Sequence, residues 1–352
     1  MKTFNIANLD KNFSIESSVN EDNLKFYSVR SAPFRLYGLE KCDGQFRRMP
    51  TEIAEQVSEG VHRLHFNTAG GRVRFSTDSS YVAIKAFLPS LCHMSHMALT
   101  GSSGFDLFAN GVFAGSFAPP TNMDGSYDSI VHLKEVKMQN MEINFPLYND
   151  VAELFIGIED TAQLSVGADY TIEKPIVYYG SSITQGGCAS RPGTAYQAII
   201  SRMLDCNHIN LGFSGNARGE QVMADYIASL DMSAFVLDYD HNAPNAEHLQ
   251  KTHEPFFRTV REKHPDLPIL IVSKPDTPKP SDFAPRRNIV HQTYINALTN
   301  GDKNVYFIDG QSFFSGRYRD CCTVDGCHPT DAGFVRMADV IGGELERIFK
   351  KG

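Results

Sequence analysis

The chain has no tryptophan, no apolar run long enough to cross a bilayer and no run of lysine or arginine longer than a pair. A membrane span needs about 20 consecutive apolar residues, so no transmembrane segment is expected. Basic side chains number 33 against 41 acidic ones, a formal charge of −8. No basic surplus exists to neutralise phosphates, which argues against a nucleic-acid partner. Residues Met1 to Asp10 lack the charged start and apolar core of a secretory leader. The expected place is therefore the cytoplasm, or a secreted or periplasmic compartment if a leader was removed from this chain. Seven cysteines cannot all pair internally, and their spread along the chain fits reduced thiols better than a disulfide scaffold. Cys321, Cys322, Cys327 and His328 lack the paired C-x-x-C spacing of a closed zinc site. His93 and His96, interleaved with Met94 and Met97, read as a loop or short edge strand. No metal site is expected from either group.

What is present suffices for a large interior. Apolar residues make up 42% of 352, a length that suits two domains rather than one. Residues 1–174 read as strand and turn. Val61–Phe66, Arg72–Ser76, Tyr81–Leu88, Phe105–Ala109, Val112–Ser116 and Ile130–Lys137 are short apolar or alternating runs separated by Gly-containing turns. Asn110-Gly111 between two of them predicts a hairpin, because a type I′ turn needs positive φ at both central residues. This half is expected to be a β-sandwich of jelly-roll character.

From Pro175 the pattern changes. Apolar runs at 176–179, 207–211, 234–239, 269–273 and 305–308 alternate with helical periods at 195–204, 221–229, 246–263, 287–298 and 332–349. Strands alternating with helices of this length predict a parallel sheet covered on both faces. Residues 175–352 are thus expected to form a three-layer α/β/α domain on a five-stranded parallel sheet.

Ligands of such sheets bind beyond the carboxyl ends of the strands, and the distinctive polar residues fall there. Gly180-Ser181-Ser182 follows the first strand, Ser214-Gly215-Asn216 the second and Asp240-His241-Asn242 the third; Asp325-Gly326-Cys327-His328-Pro329 lies in the loop beyond the fifth. A serine becomes a nucleophile only when a base removes its proton, and histidine suits that task. The histidine needs an acceptor on its other nitrogen, and Asp325 is three residues away. The Ser182 and Gly215 amides and the Asn242 side chain could serve a developing oxyanion. Asp240, His241 and Arg191 are candidates for substrate contact or loop support. Cys188 reads as a small buried hydrophobe. The G-x-S-x-G elbow of α/β-hydrolases is absent around Ser182, and Gly186-Gly187 lacks the continuation of a P-loop.

The four blocks resemble the SGNH, or GDSL-like, hydrolase superfamily. Gly180-Ser181-Ser182 is similar to its first block, with serine where aspartate is usual. Gly215 and Asn242 match the second and third blocks, although Asp240 replaces a glycine and Ala243 an aspartate. Asp325 and His328 fit the D-x-x-H of the last. Gly104-Phe105-Asp106-Leu107-Phe108 is similar to the G-x-D-L-Y signature of a β domain that precedes one branch of these esterases, with Phe108 in place of tyrosine. The resemblance implies a cofactor-free serine esterase with the triad Ser182, His328 and Asp325 and an oxyanion hole of Ser182, Gly215 and Asn242. It implies a short acyl ester, acetyl in the first instance, on a small molecule or a glycan. General carboxylesterase, thioesterase or lysophospholipase-type chemistry is the alternative within enzymes, and glycan binding without turnover the alternative outside them.

Overall fold

The computed structural model describes residues 9–10, 19–41, 43–276 and 283–351. Among the described residues, the first half supplies ten strands: β1 (Leu24–Ser28), β2 (Arg35–Tyr37), β3 (Arg72–Thr77), β4 (Tyr81–Phe87), β5 (Phe105–Ala109), β6 (Val112–Phe117), β7 (Ser126–His132), β8 (Gln139–Asn144), β9 (Glu153–Glu159) and β10 (Leu164–Ser165). Three helices interrupt them: α1 (Thr51–Val57), α2 (Glu59–Leu64) and α3 (Leu99–Ser102). One sheet runs β1-β9-β4-β7 and the other β10-β3-β8-β5-β6, with β2 also pairing β3, on the side opposite β8. Pairing is antiparallel throughout these sheets. Alternate residues of both sheets, among them Phe75, Ile84, Leu107, Val131, Ile143 and Ile156, meet in one buried cluster. That inward alternation makes the pair of sheets a sandwich. Asn110 and Gly111 have φ of 49° and 78° and join β5 to β6 in the expected primed turn.

The expectation of a strand at 61–66 is not met: this stretch lies in and after α2. Ser58 caps that helix, its side chain accepting from the Val61 N–H. The apolar positions Val61 and Leu64 are spaced for a helix, not for a strand. Both α1 and α2 turn away from the sandwich, and Met49, Ala54 and Val61 share a core with the second half of the chain.

That second half carries β11 (Ile172–Gly180), α4 (Ser182–Gln185), α5 (Tyr196–Leu204), β12 (Cys206–Gly212), α6 (Gln221–Ser229), β13 (Ala234–Asp238), α7 (Ala246–Lys263), β14 (Ile269–Val272), α8 (Phe283–Thr299), β15 (Val305–Ile308) and α9 (Asp331–Phe349). The sheet is parallel, in the order β12-β11-β13-β14-β15. Its strands β13, β14 and β15 are almost continuously apolar because both faces are covered. On one face α6 and α7 contribute Met223, Ile227, Phe256 and Val260; on the other α5 and α9 contribute Ile200, Phe334, Met337 and Ile341. The chain leaves β11 for β12 on one side and reaches β13 on the other. The strand order therefore reverses at β11, where a crevice opens at the carboxyl ends.

Candidate active site

Gly180 ends β11 where only a hydrogen fits. A Cβ there would lie 2.1 Å from the Thr184 hydroxyl and 2.4 Å from the Asp238 carbonyl oxygen. The chain turns directly into α4, whose cap is Ser181. Its side chain accepts from the Ile183 N–H at 3.1 Å, which is a capping task that serine performs as well as aspartate. Ser182 is the first residue of that turn, so its N–H has no intrahelical acceptor. Its own carbonyl accepts from the Tyr148 hydroxyl at 3.1 Å. The sandwich half thus supports the nucleophile candidate from behind.

The Ser182 hydroxyl lies 3.0 Å from His328 Nε2. Nδ1 of the same ring lies 2.8 Å from Asp325 Oδ2, while Asp325 Oδ1 accepts from the His328 and Cys327 amides at 2.7 and 2.9 Å. Burial opposes the charge on Asp325, but these hydrogen bonds outweigh it and hold the carboxyl at about 2. Asp325 is ionised across the working range, so His328 carries its proton on Nδ1 and offers Nε2 to the serine. The loop itself is braced by hydrogen bonds from Val324 N–H to His328 O and from Cys188 N–H to Pro329 O, at 3.0 and 3.1 Å.

Gly215 follows β12 and Asn242 follows β13, the two strands that flank β11. Gly215 has φ of 69°, a left-handed conformation that favours glycine. Its neighbour Ser214 donates its N–H to Gln185 Oε1 at 3.0 Å, while Gln185 Nε2 reaches Asn67 and the Leu147 carbonyl. Gln185 therefore fixes the Gly215 loop to α4 and to the sandwich half. Asn242 sits in a short 3₁₀ turn over Asp240–Asn242. Arg286 clamps that turn by donating to the carbonyls of Asp240 and Ala243 at 2.6 and 2.8 Å.

The three remaining candidates sit apart from the serine's hydrogen bonds. The Asp240 carboxylate accepts from the Lys274 N–H at 3.1 Å, beyond the end of β14, and burial pushes it up to about 6. His241 Nε2 lies 3.2 Å from Cys327 Sγ, which links the Asn242 turn to the histidine loop. Arg191 turns toward the sandwich: it donates to Asp106 at 3.0 Å and lies over the Phe113 ring at 3.9 Å. Asp106, fully buried in β5, also accepts from Gly193 N–H at 2.8 Å and from Asn144 at 2.9 Å. The aspartate of the G-F-D-L-F segment is thus a strap between the two halves.

Three supporting residues carry no local sequence signal. Tyr148 and His96 reach the site from the sandwich half, and Gln185, on α4 itself, ties the site to Asn67 and Leu147 of that half. His96 approaches the histidine of the triad from the sandwich half, its ring 5.8 Å from that of His328. The segment carrying it is held where Thr100 donates to the Ser190 carbonyl at 2.6 Å.

Residues 173–346 match the GDSL-like lipase/acylhydrolase family, and residues 24–164 match the N-terminus of SGNH-hydrolase-type esterases. A GDSL-like lipase from Bacteroides ovatus superposes with a TM-score of 0.84 at 28% identity, covering 93% of this chain and 98% of that one. The salicylyl-acyltransferase SsfX3 of a tetracycline biosynthetic pathway gives 0.77 at 20% identity, covering 94% and 98%. An acetyl xylan esterase from the rumen bacterium Butyrivibrio proteoclasticus gives 0.59 at 13%, covering 93% and 99%. No curated protein matches the chain in sequence.

Proposed function

This chain belongs to the GDSL-like lipase/acylhydrolase family of SGNH hydrolases and is a carboxylic ester hydrolase, and we propose that Ser182 is its nucleophile and a short acyl ester on a carbohydrate its substrate. The observation that carries this reading is the unbroken relay from the Ser182 hydroxyl through His328 to Asp325, at 3.0 and 2.8 Å. His328 Nε2 takes the serine proton as Oγ attacks the ester carbonyl, and returns it to the departing alcohol. Asp325 keeps the other nitrogen protonated and stabilises the imidazolium. The Ser182 and Gly215 amides and the Asn242 side chain hold the oxyanion of the tetrahedral intermediate. Water, activated by the same histidine, then releases the acid. Every proton the cycle moves is carried by His328.

The acyl group is proposed to be short, acetyl in the first instance. Ser182, Gly215, Asn242 and His328 are carried on single helical turns and short loops at the strand ends rather than on long apolar helices. The carbohydrate is proposed because an acetyl xylan esterase shares the fold over nearly the whole of both chains, although fold alone does not fix substrate. Turnover of p-nitrophenyl acetate and of acetylated sugars, compared between the native chain and Ser182→Ala, tests both parts. Loss of about 10⁴-fold or more in kcat is expected on removing the serine, and acetylated sugars are expected to be preferred. Unchanged turnover without the hydroxyl contradicts the nucleophile; best turnover of a long acyl chain contradicts the substrate class.

A further inference from the structure

Three soft or borderline donors from three separate segments meet at the triad. One ring nitrogen each of His96 and His328 and the thiol of Cys188 all lie within 4.8 Å of one another. We propose that His96, Cys188 and His328 form a zinc site, and that zinc bound there switches off the esterase by withdrawing His328 from Ser182. The switching half rests on His328 acting as the general base; the binding half does not.

The donor set decides which cation fits. Two imidazoles and a thiolate suit zinc, whereas calcium and magnesium take oxygen ligands. Zinc bonds of about 2.0–2.3 Å in a tetrahedron place neighbouring donors roughly 3.3–3.8 Å apart. The present spacing therefore needs a contraction of about an ångström, and exposed His96 can supply it by turning its side chain. Cys188 is the fixed partner, its N–H held on the Pro329 carbonyl. Asp325 holds Nδ1 of His328, so the nitrogen left to bind a cation is Nε2, the one now beside the Ser182 hydroxyl. A carboxylate–histidine–metal arrangement of this kind commonly fixes the tautomer at zinc sites.

Binding is a substitution whose charges balance. The Cys188 thiol gives its proton to solvent, the thiolate and two neutral imidazoles bind the cation, and water keeps the fourth position. His328 Nε2 cannot hold zinc and accept the serine proton at once.

The test uses the full chain with zinc chloride or cobalt chloride as the probe and p-nitrophenyl acetate as the reporter. Cobalt is expected to give a thiolate-to-metal charge-transfer absorption that Cys188→Ser abolishes. Zinc is expected to inhibit turnover reversibly, with recovery on adding a chelator. His96→Ala and Cys188→Ser, each compared with its own zinc-free rate, are expected to raise the half-inhibiting zinc concentration by about tenfold or more. His96 is exposed, so its variant reports on the site even if the cysteine variant folds poorly. Absence of the thiolate absorption, or equal zinc sensitivity in His96→Ala and the native chain, overturns the proposal. A chain that binds cobalt through Cys188 yet turns over no ester would instead contradict the esterase mechanism.

Discussion

Asp325 and Asp240 stand beside the same crevice, and their surroundings push them in opposite directions. Asp325 accepts three hydrogen bonds that favour its charge, and is held at about 2. Asp240 is enclosed, and although Lys274 and Arg286 favour its charge, burial wins and raises it to about 6. The raised value has a sign for stability. Between its ordinary value of 3.8 and about 6 the folded chain binds more protons at this residue than the unfolded chain. Its contribution to stability therefore falls as pH rises through that window. Asp240→Asn can keep an acceptor on the Lys274 N–H and removes the charge. Melting temperatures taken across that window are expected to fall less with rising pH in the variant; an equal slope in both would show that Asp240 does not titrate there. At this scale the sequence was informative about types and silent about partners. Ser182, Asp325 and His328 stand out in the sequence as candidates because serine-hydrolase chemistry would need such residues near strand ends, and the fold brings the three within hydrogen-bond reach. Arg191 could equally have faced substrate or a loop, and only the fold shows its partner to be Asp106, 85 residues away in the chain.

Among the elements, β12 carries the heaviest burden because it is the edge of the parallel sheet that meets the sandwich half, β15 being the other edge. An uncovered edge presents unpaired carbonyls to the interior or to other chains. Two buried arginines from the sandwich half cover it. Arg48 donates to the carbonyls of Asn210 and Gly212 at 3.0 and 2.7 Å, and to that of Leu64 at 2.8 Å. Arg72 donates to the carbonyl of His208 at 3.2 Å. Residues 208, 210 and 212 alternate along the strand, so these are the carbonyls on its outer side. Arg48→Met retains the apolar stem and leaves buried acceptors unsatisfied, a loss of about 3 kcal/mol. A lowered urea midpoint at unchanged slope would record it; an unshifted midpoint would mean that water replaces the guanidinium. The same region contains the misread element. Val61–Phe66 has enough apolar residues for a strand, and the decisive clue was the Ser58 cap three residues earlier rather than the run itself.

The whole molecule is less divisible than its change of sequence pattern at residue 175 suggests. Met49, Ala54 and Val61 lie in one core with Met223, Ala224 and Ile227 of α6, and Arg48, Arg72 and Asp106 all bond across to the second half. A fragment of residues 175–352 would expose that apolar face and the β12 edge. It is expected to lack the single cooperative thermal transition of the full chain, as followed by circular dichroism. A fragment melting as sharply as the full chain would show that the sandwich half is dispensable for folding. The alternation of strand and helix made the parallel sheet legible, because each element there buries its own apolar face. The shared core was not legible, since nothing local marks α1 and α2 as belonging to the other half. The same wrapping brings Tyr148 to the Ser182 carbonyl and His96 beside His328. The central claim remains the acyl-enzyme at Ser182. Mixing the native chain with p-nitrophenyl acetate, quenching in acid before one turnover is complete, and mapping the added mass by peptide mass spectrometry tests it directly. One acetyl group on Ser182, absent in Ser182→Ala, is the predicted result; ester turnover with no acetyl on that serine, or with the acetyl on another residue, would contradict the account.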